Sequence, residues 1–173
     1  LSGNEAVARG AWDAGVELAA AYPGTPSTEI IQTLAAFPGV YVEWSTNEKV
    51  ALEVALGASI TGRRALTAMK HVGMNVASDS LMTLGQVGSN AGLVIAVSDD
   101  VGFSSSQNEQ DSRFWGRFVH LPVLEPSDAG EAYAMTRDAF ALSERFQVPV
   151  LLRLTTRVSH VKRMAETGVR EAP

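Results

Sequence analysis

Glu48 opens the run Asn47-Glu48-Lys49-Val50-Ala51, where an apolar segment gives way to a helical pattern rich in small residues. A carboxylate at such a strand–helix junction, facing a cleft, can share a proton with a ligand nitrogen. The same spacing also fits a capping box built from Ser45 and Glu48, worth ~1 kcal/mol and no chemistry. Spacing alone leaves both readings open.

A second stretch, Tyr22-Pro23-Gly24-Thr25-Pro26-Ser27-Thr28-Glu29, sets a glycine, two prolines and three hydroxyls before a helix. Free backbone N–H groups there can bind carboxylates or phosphates. The plainer alternative is a turn in which Thr25 or Ser27 caps the helix and proline fixes its entry. No Gly-Lys-Ser/Thr follows, so it is not a P-loop.

In the third stretch, Met69 to Asn75, Lys70 and His71 could position an acidic substrate, or His71 could move protons. A lone histidine is more often structural, and no second histidine stands at metal-ligand spacing, so no metal site is expected in this chain. Residues 98–111 form a long polar stretch with Ser105, Gln107 and Asn108 near its centre, either a flexible loop or a lid. The serines at 104–106 have no companion His and Asp at a recognisable elbow, which argues against a hydrolase. Arg113 and Arg117 could bind a carboxylate or be solvated helix charges.

The elements that must position these residues alternate along the chain. Helical patterns are expected over residues 4–15, 28–37, 48–61, 76–84 and 127–146, and strands over 18–22, 40–44, 65–69, 92–97, 122–124 and 148–154. Alternation of this kind implies right-handed crossovers and an α/β fold, a mostly parallel sheet sandwiched between helices. Ligands of such sheets gather beyond the carboxyl ends of the strands, where all three stretches lie. The polar tail after Thr155 is expected to loop over a partner or lead onward. One domain over residues 1–158 and a tail or linker over 159–173 describe the organisation.

Composition narrows the function classes. The chain has 173 residues, 46 % hydrophobic and 19 % charged. The charged share is below the roughly 25 % typical of soluble domains, which suggests surface covered by a sister domain or subunit, with a homo-oligomer the commonest arrangement. A net charge of -5 argues against a nucleic-acid footprint, which would need a basic face. With no cysteine, the chain holds no disulfide and no thiolate-ligated iron–sulfur cluster. No apolar run reaches about 18 residues and no signal peptide is apparent, so a cytoplasmic protein without a membrane span is expected.

Taken in order, the motifs GNEAVARGA from Gly3, AYPGTPSTEI from Ala21, NEKVALEVALGAS from Asn47, AMKHVGMNVASD from Ala68, SSQNEQDSR from Ser105 and VLLRLTTRVSH from Val150 carry a resemblance. The chain resembles the N-terminal, pyrimidine-binding domain of the large subunit of indolepyruvate:ferredoxin oxidoreductases. These are thiamine diphosphate enzymes related to pyruvate:ferredoxin oxidoreductase. The resemblance implies that Glu48 hydrogen-bonds N1′ of the aminopyrimidine, favouring the imino form that takes the proton from thiazolium C2. It implies that Thr25 and Pro26 line the cofactor site, and that Thr25, Lys70, His71, Ser105, Gln107 and Asn108 form walls toward a 2-oxoacid. Ser104 stands where relatives often carry histidine, so no proton-transfer role carries over there.

The resemblance further implies partners for the chain. A diphosphate-binding domain would hold Mg2+ through a Gly-Asp-Gly motif that does not occur here. Iron–sulfur clusters, a smaller subunit, coenzyme A and ferredoxin would complete an acyl-CoA-forming oxidative decarboxylation, for which this chain alone would be inactive. The alternatives are a non-catalytic assembly module of the same fold and a domain of another thiamine diphosphate 2-oxoacid enzyme. A dinucleotide-binding domain is disfavoured because no Gly-x-Gly-x-x-Gly follows the first strand.

Overall fold

The apolar runs fold as β1 (Leu18–Ala21), β2 (Tyr41–Trp44), β3 (Ala65–Lys70), β4 (Leu93–Asp99), β5 (Val123–Leu124) and β6 (Val150–Thr155) in the computed structural model, which describes residues 1–170. Between and around them lie α1 (Gly3–Asp13), α2 (Thr28–Leu34), α3 (Glu48–Ile60), α4 (His71–Val87), α5 (Arg113–Val119), α6 (Ala129–Phe146) and α7 (Thr156–His160). The strands form a single six-stranded sheet in the order β2-β1-β3-β4-β6-β5, and every pairing is parallel. Every residue of β4 is buried, as a central strand covered on both faces requires.

Helices cover both faces. α1, α2 and α6 enclose one core with Val7, Ile30, Ile31, Leu66, Val94, Phe140 and Leu152. The other layer, α3 to α5, packs Leu52, Met69, Met74, Leu81, Ile95 and Val119. Each fully buried aliphatic or aromatic side chain contributes about 1.5–3 kcal/mol, so the two layers together hold the sheet rigid beneath its loops. The α/β class read from the alternation is the observed one.

Several boundaries differ from expectation. α4 starts at His71 rather than at 76, because β3 runs into the helix with no intervening loop. α5 and α7 were not anticipated; at seven and five residues they are too short to show a helical period. Helix α1 closes where expected, with Gly15 adopting φ +73° just beyond its C-cap.

Residues 161–170 run back over their own chain. The Leu1 nitrogen donates to the Arg163 carbonyl at 2.8 Å, Gly168 N–H donates to Tyr133 Oη at 2.6 Å, and the Arg170 guanidinium lies 5.2 Å from the Trp12 ring centre. The rest of the expected tail, 171–173, lies outside the described residues. No helix among the described residues is long and apolar enough to cross a membrane.

Candidate functional site

Parallel pairing brings all strand exits to one edge. Ala21, Trp44 and Ala68 stand in register, as do Lys70 with Ser98 and Asp99 with Thr155. The strand order reverses between β1 and β3, so the turn at 22–27 and the start of α4 flank the crevice where such sheets bind ligands.

Glu48 stands beside this crevice as the first residue of α3, 8 % exposed. The capping box expected of Ser45 and Glu48 does not form. Asn47 is the N-cap: its backbone is extended (φ -162°, ψ 175°) and its Oδ1 accepts from Val50 N–H at 2.9 Å. Ser45 instead donates to Glu43 at 3.1 Å. Asn47 thus does the capping, and no donor reaches the Glu48 carboxylate among the described residues. The side chain lies against Gly73 in the first turn of α4, where a Cβ built on Gly73 would stand 2.7 Å from its Cγ and Oε1.

The turn after β1 is held from behind. Asn4 of α1 donates to the Pro26 carbonyl at 2.7 Å and to Glu29 at 2.9 Å, and the Thr25–Pro26 peptide is cis. Ser27 occupies the cap position of α2, but its hydroxyl turns back to the Gly24 carbonyl at 2.8 Å and caps no N–H. Thr25 is exposed and Pro26 buried.

Lys70 and the loop after β4 close on this turn. The Lys70 Nζ donates to the Ser105 carbonyl at 3.1 Å, and the Ser105 hydroxyl lies 3.4 Å from the Thr25 carbonyl and 3.3 Å from Asp100 Oδ2. His71, fully buried, has both ring nitrogens occupied by backbone. Nδ1 accepts from Asp100 N–H at 3.2 Å, which leaves the proton on Nε2 to donate to the Asn108 carbonyl at 3.0 Å. His71 therefore grips the loop and presents neither nitrogen to the crevice. Asn108 turns its side chain to Gln110 at 3.1 Å, and the Gln107 side chain is exposed.

Sequence reasoning passed over the residues that anchor this loop. Asp100 is 1 % exposed. Burial pushes its carboxyl up, but the Ser105 N–H at 2.7 Å and the hydroxyls of Thr156 and Ser105 outweigh that and bring it down to about 2. Asp99, also buried, accepts from Ser112 N–H at 3.0 Å and from Arg153 Nε at 2.8 Å. Arg153 in turn pairs with Glu125 at the exit of β5. A pair of aspartates just beyond the apolar run Leu93–Val97 was the available signal, since buried carboxylates demand partners. Arg113 pairs with Asp111 at 2.6 Å, so it braces the start of α5.

The structure thus brings Thr25, Lys70, His71, Ser105 and Asn108 into one connected cluster and sets Glu48 beside it. Tyr22, Trp44 and Phe103, which follow β1, end β2 and follow β4, are 43 %, 46 % and 57 % exposed, an unusual outlay of aromatic surface on one edge. A groove of about 640 Å3 lies on α5 between Phe114, Trp115 and Phe118 and includes none of the predicted site residues. No group of three or more potential metal ligands occurs among the described residues.

Comparison with known proteins fits this arrangement. Residues 9–168 match the family described as pyruvate flavodoxin/ferredoxin oxidoreductase, thiamine diphosphate-binding. The chain is 55 % identical over 165 residues to the indolepyruvate oxidoreductase subunit IorA of Pyrococcus abyssi, covering 94 % of this chain and 26 % of that protein. It is 51 % identical over 175 residues to IorA of Methanothermobacter marburgensis, covering 99 % and 28 %. The chain therefore spans about a quarter of the length of these relatives. A 2-oxoglutarate:ferredoxin oxidoreductase from Magnetococcus marinus, solved with 2-oxoglutarate, coenzyme A and succinyl-CoA, superposes with a TM-score of 0.84 at 24 % identity over 99 % of this chain and 33 % of that one, and so shares its fold.

Proposed function

The chain belongs to the thiamine diphosphate-binding family of the pyruvate flavodoxin/ferredoxin oxidoreductases, and from that premise we propose that it supplies the aminopyrimidine half of the cofactor site in a 2-oxoacid:ferredoxin oxidoreductase acting on indolepyruvate or a related arylpyruvate. One observation carries the residue assignment: Glu48, 8 % exposed at a strand exit, is relieved of capping by Asn47, and its carboxylate meets no donor among the described residues while its oxygens keep contact with solvent. A carboxylate held at its backbone yet open at its oxygens is one that a ligand donor can meet in place of water.

Thiamine diphosphate, when bound, supplies the electron sink for loss of carbon dioxide from a 2-oxoacid. This chain's part is to hold and tune. Glu48 would hold a proton against the pyrimidine ring nitrogen N1′. Thr25 and Pro26 would flank the ring, with Asn4 fixing their carbonyl side. Lys70 and Ser105 would form the wall toward the substrate carboxylate, and His71 with Asp100 would keep that wall in place. Exposed Tyr22, Trp44 and Phe103 suit an aromatic substrate and exclude water once covered.

The remaining parts lie elsewhere in this reading: a diphosphate-binding domain carrying Mg2+, iron–sulfur clusters, and the sites for coenzyme A and ferredoxin, in a cytoplasmic oligomer with a smaller subunit. The separate domain at 1–158 and the linker after it belong to the same proposal. The test is anaerobic dye reduction by the full-length protein with indolepyruvate, coenzyme A, Mg2+ and thiamine diphosphate. Glu48→Gln should lower cofactor-dependent turnover ~100-fold or more. Unchanged turnover would remove Glu48 from the mechanism. No turnover by a correctly assembled wild type with any 2-oxoacid would favour an assembly module instead.

A further inference from the structure

We propose that Gly73 is a positioning residue for Glu48: the bare Cα in the first turn of α4 is what allows the carboxylate to lie where a ligand can reach it. The inference rests on the reading of Glu48 given above and extends it to a residue on a different helix. A Cβ at position 73 would stand 2.7 Å from Glu48 Cγ, 2.7 Å from Oε1 and 3.0 Å from Cδ, so it would meet the whole end of the side chain. Backbone conformation does not explain the glycine, because Gly73 is not among the residues with positive φ. Alanine is the better helix former at such a position. Space for Glu48 is the one demand the structure makes of it.

The neighbours decide what would move if that space were filled. At the start of α3 the Asn47 cap fixes the backbone of Glu48. The start of α4 is fixed by His71, gripped by Asp100 N–H and the Asn108 carbonyl. Lys49 pairs with Asp79 at 2.7 Å and Ser80 donates to Glu53 at 2.7 Å, which locks the two helices together along their length. At the far end of α4, a Cβ on Gly85 would meet the Val119 carbonyl at 2.5 Å, so α4 already lies close against the end of α5. With both helices held, the freest part is the Glu48 side chain, which would rotate away from its present place. A displacement of about 1 Å at a group that must meet a ligand atom can cost up to ~100-fold.

The experiment measures deuterium exchange at C2 of thiamine diphosphate bound to the full-length protein, by NMR after acid quench, beside the thermal unfolding midpoint. Gly73→Ala should slow exchange about tenfold or more. In a Glu48→Ala background, where no side chain remains to be pushed, adding Gly73→Ala should slow it no further. Wild-type exchange in folded Gly73→Ala, with exchange slowed in Glu48→Gln, would overturn this inference alone. Wild-type exchange in Glu48→Gln would overturn the role of Glu48 and this inference with it. An equal further loss in both backgrounds would also overturn it, since position 73 would then act independently of Glu48. If Gly73→Ala fails to fold, folding of the Glu48→Ala/Gly73→Ala double variant upholds the clash, and its failure refutes it.

Discussion

Two acidic corners lie on the same edge of the sheet and are built in opposite ways. At the exits of β4 and β6, Asp99 and Asp100 are buried with their oxygens bonded to Ser112, Arg153, Ser105 and Thr156. At the exit of β2, Glu48 is 8 % exposed, its cap function has passed to Asn47, and its carboxylate oxygens keep solvent contact and meet no donor among the described residues. A charge with satisfied oxygens stabilises and orders what surrounds it, whereas one with open oxygens beside a crevice is available to a ligand. The contrast separates carboxylates bound into the architecture from one left open to a ligand, without reference to residue type.

The comparison breaks most sharply at Glu48. Glu48→Gln should cost ~100-fold or more in turnover while shifting unfolding by less than about 0.5 kcal/mol, because no internal bond is lost. Activity assays paired with urea unfolding check it, and a large loss of stability would place Glu48 with the aspartates. Arg153→Met should show the reverse, a loss of ~3–5 kcal/mol from leaving Asp99 buried without its cation. Urea unfolding measures that loss, and a stability within 1 kcal/mol of wild type would show the pair to be dispensable.

Asp100 sharpens the contrast through pH. Its carboxyl is depressed to about 2 from 3.8, so its contribution is present above the unfolded value and lost as pH falls through the folded one. Wild type should lose about 2 kcal/mol more than Asp100→Asn between pH 5 and pH 2. Parallel stability curves for the two proteins would contradict this. The smallest effect concerns the cap: Asn47→Ala should destabilise by ~1 kcal/mol and Ser45→Ala by clearly less, as measured by thermal unfolding. Equal effects would restore Ser45 to a capping role.

Much of the frame was legible because its causes are local. Apolar runs such as Leu93–Val97 bury on both faces of a parallel sheet, and the alternation of strands with helices leaves one topology class. Local patterns failed where two elements compete for the same residues. Ser45, Thr46 and Asn47 all have cap-forming side chains, and only the extended backbone at Asn47 selects one. The helix expected from residue 76 begins at His71, and Gly73 in its first turn lies in contact with α3. His71 presented itself as a proton carrier until the loop from β4 took both of its nitrogens.

By itself, then, the order of residues determined an α/β chain with its candidate site residues at the strand exits, and it singled out Glu48, Thr25, Lys70, His71 and Ser105 as the groups to watch. Hydrophobic period and turn chemistry act over a few residues, and those survive in a one-dimensional reading. Which carboxylate stays open was decided only by the tertiary structure. Hydrogen-bond satisfaction depends on donors from distant segments: Arg153 reaches Asp99 across 54 positions and Asn108 meets His71 across 37. No local spacing encodes such pairings, and they set the aspartates to holding the loop while Glu48 remains free.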